Sequence, residues 1–394
     1  MERITSKLVN WASILDPKTK AQAIESSAME FIQPYLALMP DAHLGKGATV
    51  GSVIPTVGAI MPAAVGVDIG CGMNAVLTQF RASDLDGLDL RSLHAQIGRS
   101  IPLSAGGANQ RQPRTAAARI ADLEAMPGAD QAERAMPRWR PQLGSLGSGN
   151  HFIEVSLDED DQVWFFLHSG SRGVGNRLAS RHIEVAQRVC ADNGVRLPNR
   201  DLAFLTEGTD EFAAYIEALN WAQHFALLNR AEMMDRVADQ FERWIGIPVQ
   251  RLEDIRCHHN YTERMDLPDP GEPGTVRATW LSRKGAISAR AGQLGLIPGS
   301  MGDRSYVVAG RGDPRSFQSA PHGAGRVHSR GSARRTFARA DLDRRMGGIV
   351  WGESDAFLDE HPSAYKDIDV VMRDAGDLVD VVHELRQVVN VKGN

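Results

Sequence analysis

Cysteine is scarce, with three in 394 residues. That excludes a disulfide framework and points to a reducing, cytoplasmic setting. The opening Met1-Glu-Arg-Ile-Thr-Ser-Lys7 has no apolar core of the kind a secretory signal needs. Charge is missing from Gly47 to Val67, a run of 21 residues that is long enough to suggest a membrane span. Pro55, Pro62 and four glycines interrupt it, so buried short strands and turns are expected instead, and no membrane association. No Walker A motif is present, and no Gly-x-Gly-x-x-Gly follows a clear strand. Neither an internal repeat nor an obvious linker divides the chain.

What is there suits a globular protein: 42% hydrophobic, 24% charged, formal net charge -5. Glycine, at 38 residues, exceeds the usual share, which implies many tight turns and close backbone approaches. Arg283–Arg345 holds 13 Lys/Arg against 4 Asp/Glu inside an otherwise acidic chain. Such a stretch fits a surface for phosphates, or else a solvated face paired with acids elsewhere.

Residues 34–80 read as short strands and turns, and Val163-Trp-Phe-Phe-Leu167 as a buried strand feeding the turn at His168. The clearest helix spans about 209–244. Its apolar residues Phe212, Ile216, Leu219, Ala222, Ala226 and Met233 recur at spacings of three, four or seven, and Thr209 with Asp210 can cap it. Residues 104–142, rich in Ala, Arg, Gln and Pro, suggest an exposed excursion or short helices outside the core. The expected fold is α+β: one large mixed domain over 1–394, with short strands around a cleft and flanking helices.

Potential metal ligands are scattered but share a context. Asp68 and Cys71 lie among Gly66, Gly70 and Gly72, His151 follows Gly147-Ser-Gly-Asn150, His168 ends a strand, and Cys257-His258-His259-Asn260 adds an imidazole pair. Each stands on a turn of small residues, where loops from several elements can converge on an ion with open positions. By ligand softness alone, one thiolate with several imidazoles suggests zinc. Cys190 reads as helix core, and Cys257 as either core or ligand. A second concentration runs from Gly285 to Gly325, through Pro298-Gly-Ser-Met-Gly302 and Pro321-His322-Gly-Ala-Gly-Arg326. Glycine beside serine lets backbone N–H groups cradle phosphate oxygens, and an imidazole there can attack phosphorus. The same glycines also fit plain structural turns.

Taken in order, Asp68-Ile-Gly-Cys71-Gly, Gly149-Asn-His-Phe-Ile-Glu154, His168-Ser-Gly-Ser-Arg172, His259-Asn260, Pro298-Gly-Ser-Met-Gly302, His322-Gly-Ala-Gly-Arg326 and Val391-Lys-Gly393 resemble the RtcB family of RNA ligases. The segment Pro40-Asp-Ala-His-Leu-Gly-Lys-Gly47 is similar to its bacterial branch. The resemblance runs from about residue 34 to the C-terminus. It implies a GTP- and Mn²⁺-dependent enzyme that joins an RNA 3′-phosphate, or a 2′,3′-cyclic phosphate opened by hydrolysis, to a 5′-hydroxyl. It also leaves room for an activating protein partner.

Carried over by position, the resemblance makes His322 the nucleophile that takes GMP. Asp68, Cys71, His151, His168 and His259 would hold two Mn²⁺ ions, with the Cys71 sulfur bridging. Nucleotide contacts would come from Asn150, His151, Phe152, Ile153, Glu154, His259, Asn260, Pro298, Gly299, Ser300, Met301, Ser305, His322, Gly323, Ala324, Gly325 and Lys392, with Lys392 at the base. Manganese rather than zinc is the resemblance's implication, not that of the ligand types. His258 would be supporting or structural.

Arg330, Arg334 and Arg335, just beyond the nucleophile segment, are candidates for the RNA backbone, unless they pair with Asp341 and Asp343 on a helix face. Arg326 would serve the nucleotide. Asp303-Arg304 departs from the family's usual small or hydroxyl residue after Gly302. Two other functions compete with ligation. One is a two-metal phosphodiesterase or cyclic phosphatase without guanylylation, for which an imidazole nucleophile has no use. The other is a non-catalytic RNA-binding protein, which has no need of a complete ligand set.

Overall fold

In the computed structural model, residues 1–393 apart from Pro270 and Pro273 are described. Two β-sheets face each other. One has seven strands, in the order Arg251–His258, Gly72–Arg81, Gln162–Ser169, Phe152–Leu157, Val379–Val391, Ser305–Gly310 and Leu294–Pro298, all antiparallel. The other has six: Glu2–Thr5, Leu8–Asn10, Leu36–His43, Val50–Thr56, Val276–Lys284 and Asn260–Pro268. Its single parallel pair is Leu8–Asn10 with Leu36–His43.

Strand periodicity explains why the central strands of the seven-stranded sheet are buried on both sides. Met73, Ala75, Trp164, Phe166 and Ile255 point inward to Met39, Val53 and Leu281 of the facing sheet. Val76, Ile153, Val155, Phe165 and Leu167 point the other way. There they meet Leu93 and Ile97 of helix Leu90–Ser100, and Met233, Val237 and Phe241 of the long helix Asp210–Ile245. Both faces are therefore apolar, which makes Val163–Leu167 a continuous hydrophobic run rather than an alternating one. Each large side chain so buried contributes roughly 1.5–3 kcal/mol.

The long helix starts where its capping residues indicate. The Thr209 hydroxyl accepts the Phe212 backbone N–H, Asp210 and Glu211 occupy the first turn, and Gly246 ends it in the left-handed region (φ 78°). Its N-terminal half packs against Val174 and Leu178 of helix Arg172–Asp192.

It also packs against part of 104–142: the short helices expected there are present, but they are not outside the core. Helices Ala117–Ala125 and Ala129–Ala135 lie in this stretch, with Leu123, Ala132 and Trp139 fully buried and Ile120 nearly so. The apolar positions are few and widely spaced, so no periodic signal marks them, yet the tryptophan alone covers a large area and ties the stretch down by stacking edge-on to Trp221. Among the described residues no helix is long and apolar enough to cross a membrane, and Gly47–Val67 carries strands and turns as its glycines and prolines suggest.

Candidate active site

The site forms where the chain passes from one sheet to the other. Strand Arg251–His258 belongs to the seven-stranded sheet and Asn260–Pro268 to the six-stranded one, so His259 stands at the corner between them. Backbone bonds fix that corner. The N–H of His259 donates to Cys71 O (2.8 Å), that of Gly70 to Asn260 O (2.6 Å) and that of Gly285 to His259 O (2.8 Å). His168, at the end of its strand, is on the inward face with Trp164 and Phe166 and so points to the same place.

Two triads of donor atoms share one sulfur: Cys71, His168 and His259 form the first, Asp68, Cys71 and His151 the second. Cys71 Sγ is 3.3 Å from His168 Nε2 and 3.5 Å from His151 Nε2. His168 Nε2 is 2.9 Å from His259 Nε2, and His151 Nε2 is 3.1 Å from Asp68 Oδ2. The Nδ1 atoms of His151 and His168 face the carbonyls of Leu146 (2.9 Å) and Asn150 (3.1 Å). With the proton on Nδ1, each ring offers its Nε2 lone pair to the cluster.

Burial holds His168 and His259 well below the ordinary histidine pKa, hence neutral. For Asp68, burial would raise the pKa, but the hydrogen bond and charge of His151, helped by Arg172, bring it to about 2. Burial and the Asp68 carboxylate push the Cys71 thiol up, so that sulfur ionises only against a strong positive charge. Neutral imidazoles, a carboxylate and a shared thiol packed this closely suit a pair of divalent cations. Gly170 belongs to the design, because a Cβ there would lie 2.1 Å from an Asp68 oxygen.

His322 stands beside this cluster, its ring centroid 4.6 Å from that of His259. Its Nδ1 is 2.6 Å from Asp41 Oδ2, and its backbone N–H donates to the same oxygen (2.9 Å). Asp41 is fully buried, so the imidazole is held by a carboxylate that water does not reach and presents Nε2 outward. Gly325 permits the approach. It has φ 74°, and a Cβ would lie 2.2 Å from the Asp41 carbonyl oxygen.

A cavity of about 350 Å³ runs from the cluster past His322 to Lys392. Of the expected nucleotide contacts, Asn150, Phe152, Glu154, His259, Asn260, the Pro298–Met301 and His322–Gly325 loops and Lys392 line it. Three do not. His151 belongs to the donor cluster. Ile153 points to the opposite face of its strand, among Val155 and Leu167, because strand side chains alternate. Ser305 is buried, with its hydroxyl unpartnered.

At the far end of the cavity, burial pushes Glu154 up to about 8 against the opposing pull of Lys392 and Asn390. Glu154 Oε1 accepts from Asn390 (3.0 Å), while Glu154 Oε2 and Asn390 Oδ1 are buried without partners. Such atoms await a polar ligand edge.

The family described as tRNA-splicing ligase RtcB matches residues 22–393. The RNA-splicing ligase RtcB of Escherichia coli K12 is 45% identical over 96% of this chain and 95% of its own length. The tRNA-splicing ligase RtcB of Pyrobaculum aerophilum is 30% identical (91% and 87%), and the RNA-splicing ligase RtcB of Mycobacterium tuberculosis 32% (85% and 90%). The chain belongs to the RtcB family.

Within this RtcB-family chain, several residues that sequence reading left without a role belong to the site. Asp41 and Arg172 both sit inside quoted motifs, and only the fold shows what they touch. Lys284 lines the cavity, its ammonium donating to the carbonyls of Lys46 and Ala63 (the latter 3.0 Å), with burial lowering its pKa to about 7.

Cys257 proves to be core, and His258 supports the Gly70 carbonyl (2.8 Å) and faces Arg230. Asp303, the departure, accepts the Ser300 hydroxyl (2.5 Å), while Arg304 pairs with Asp369 and Glu384. Arg330 lines the cavity, and Arg334 and Arg335 lie on the same short helix, Arg330–Thr336. The expected alternative partners are corrected: Asp341 pairs with Arg344 and Asp343 with Arg339, whereas Arg334 faces Asp359 (3.3 Å).

Proposed function

We propose that this RtcB-family RNA ligase seals RNA 3′-phosphate or 2′,3′-cyclic phosphate ends to 5′-hydroxyl ends through a GMP adduct on His322, with GTP as co-substrate and two Mn²⁺ ions. The observation that carries the proposal is the imidazole held by buried Asp41 beside two donor triads that share Cys71. Asp68, Cys71 and His151 would hold one ion, and Cys71, His168 and His259 the other. When bound, the ions supply positive charge that offsets the triphosphate and favours departure of pyrophosphate.

The chain's own groups do the rest. With its Nδ1 proton engaged by Asp41, His322 attacks the α-phosphorus of GTP through Nε2. A P–N bond forms, the bond to the bridging oxygen breaks, and pyrophosphate leaves. An oxygen of the RNA 3′-phosphate then displaces the imidazole, restoring His322 and leaving a guanylylated RNA end. The 5′-hydroxyl attacks that 3′-phosphorus, loses its proton, forms the phosphodiester and releases GMP. A cyclic phosphate enters this sequence after hydrolysis to the 3′-phosphate. Lys392 and Glu154 hold the guanine, and the backbone of 298–301 and 322–325 follows the phosphates.

Arg330, Arg334 and Arg335 carry the RNA backbone. The whole chain acts as one catalytic domain. A two-metal hydrolase without guanylylation leaves the Asp41-held imidazole without a task.

The test is incubation with GTP labelled at the α-phosphate and Mn²⁺, followed by denaturing electrophoresis. An acid-labile protein-bound label is expected, and its absence under conditions where RNA ends are sealed would refute the histidine–GMP route.

A further inference from the structure

One buried carboxylate gathers three of the cations that line the cavity. Glu360 is 3% exposed and lines the cavity. Its two oxygens face different segments. Oε1 accepts from Arg326 Nη1 (3.2 Å) and faces Arg330 Nε (3.8 Å), both shortly after His322. Oε2 accepts the Tyr365 hydroxyl (2.5 Å) and faces Lys392 Nζ (4.0 Å). The Arg326 guanidinium is further fixed by the Tyr365 hydroxyl (2.8 Å) and by the Asp359 carbonyl (2.6 Å).

A carboxylate this deep in protein is tolerated only when paired, and here its pairing joins the nucleophile segment to the terminal strand. Placing a negative charge on the wall of a site for a polyanion weakens binding, so the residue's value has to lie in orientation.

We propose that Glu360 is a positioning residue for guanylylation: by holding Arg326 and Arg330 on one oxygen and Tyr365 and Lys392 on the other, it registers the phosphate end of the nucleotide against the base end. This rests on the reading of His322 and Lys392 given above. The charge and the geometry make opposite contributions to the two kinetic parameters. Removing the charge leaves three cations free to face an anionic substrate, which favours binding. It also removes their common anchor, which slows transfer.

The experiment is the rate of His322 labelling at varied GTP with the full chain and Mn²⁺, for wild type, Glu360→Gln and Tyr365→Phe, alongside thermal unfolding. Glu360→Gln is expected to lower the maximal rate about tenfold or more while KM for GTP is unchanged or lower. Tyr365→Phe, which keeps the charge and removes one ligand of Oε2, is expected to lower the rate about threefold at unchanged KM. Glu360→Asp should recover part of the lost rate.

A maximal rate within twofold of wild type in Glu360→Gln would overturn the proposal. So would a rise in KM that matches the fall in rate and a lowered unfolding temperature, the signature of a merely structural ion pair. Should Glu360→Gln not fold, an unchanged rate in Tyr365→Phe is the overturning result. Absence of labelling in wild type itself would strike the histidine–GMP reading instead, so the two failures are separable.

Discussion

The corner that gathers Asp68, Cys71, His151, His168 and His259 and the basic stretch Arg283–Arg345 both concentrate ionisable side chains, and they handle charge in opposite ways. At the corner, ligand-type atoms from four separate segments gather into two triads, each within 4.8 Å, and among the described residues no Lys or Arg forms an ion pair with them. In the basic stretch, charge is mostly cancelled where it stands. Arg283 and Arg290 pair with Glu263, Arg304 with Asp369 and Glu384, Arg311 with Asp380, Arg315 with Asp313, and Arg326 with Glu360. A cluster of donors without internal neutralisation invites cations. A run of arginines with acids brought in from elsewhere is largely scaffold. Local charge in a sequence is thus a poor measure of surface potential once partners distant in the chain are counted.

The sharpest way to break this contrast is at His322, the proposed nucleophile beside the corner. His322→Ala should reduce protein–GMP labelling to background with the fold intact, since Gly323 and Ala324 offer no replacement nitrogen; labelling at the wild-type level would end the assignment. Next is the shared sulfur. Cys71→Ser exchanges a thiolate for a poor ligand and should cost more than about a hundredfold in labelling rate. Chelation should abolish labelling, with Mn²⁺ restoring it better than Mg²⁺. Undiminished metal content and rate in Cys71→Ser would refute a ligand role for Cys71.

A smaller loss, roughly 10–100-fold, is expected for Asp41→Asn, the scale for a group that orients a reactive imidazole. Rate against pH for the variant checks it.

Glu154 gives a pH signature with a definite sign. Its carboxyl is protonated below about 8 in the free protein, and guanine N–H donors favour the ionised form. On the proposed reading GTP binding should release a proton, and KM should fall as pH rises from 6 to 8, by up to roughly tenfold per unit. Glu154→Gln should lack that component, and parallel KM profiles for the two proteins would refute it.

The smallest effect tests the basic stretch itself. Neutralising Arg334 and Arg335 should flatten log K against log salt for RNA, where each phosphate contact contributes about 0.7. A flattening of about 0.7–1.4 is expected, nearer the lower figure because Arg334 already faces Asp359. An unchanged slope would class both residues with the internally paired arginines.

Much of the site was readable because its ligands stand in short glycine-rich motifs: Asp68 to Cys71, Asn150 to Glu154 and His322 to Arg326 each carry several functional atoms within a few residues. Helix 210–245 was equally open, since its apolar period and its Thr209 cap are local properties. The strand Val379–Val391 was not. A register shift between Gln387 and Val389 breaks its alternation. Trp139 and Leu123 were hidden for a related reason, being buried by a helix about a hundred residues away in sequence.

The sequence by itself determined which atoms are available for chemistry and the family to which the chain belongs, because short motifs encode turns and ligand types directly. Tertiary structure alone decided which of those atoms meet. Asp41 reaches His322 across 281 residues, Glu360 reaches Lys392 from another segment, and Glu263 neutralises Arg283 from the neighbouring strand. Pairings of this kind depend on sheet register and on how two sheets turn a corner at His259. They are set by the packing of apolar faces over the whole domain rather than by any one stretch of chain.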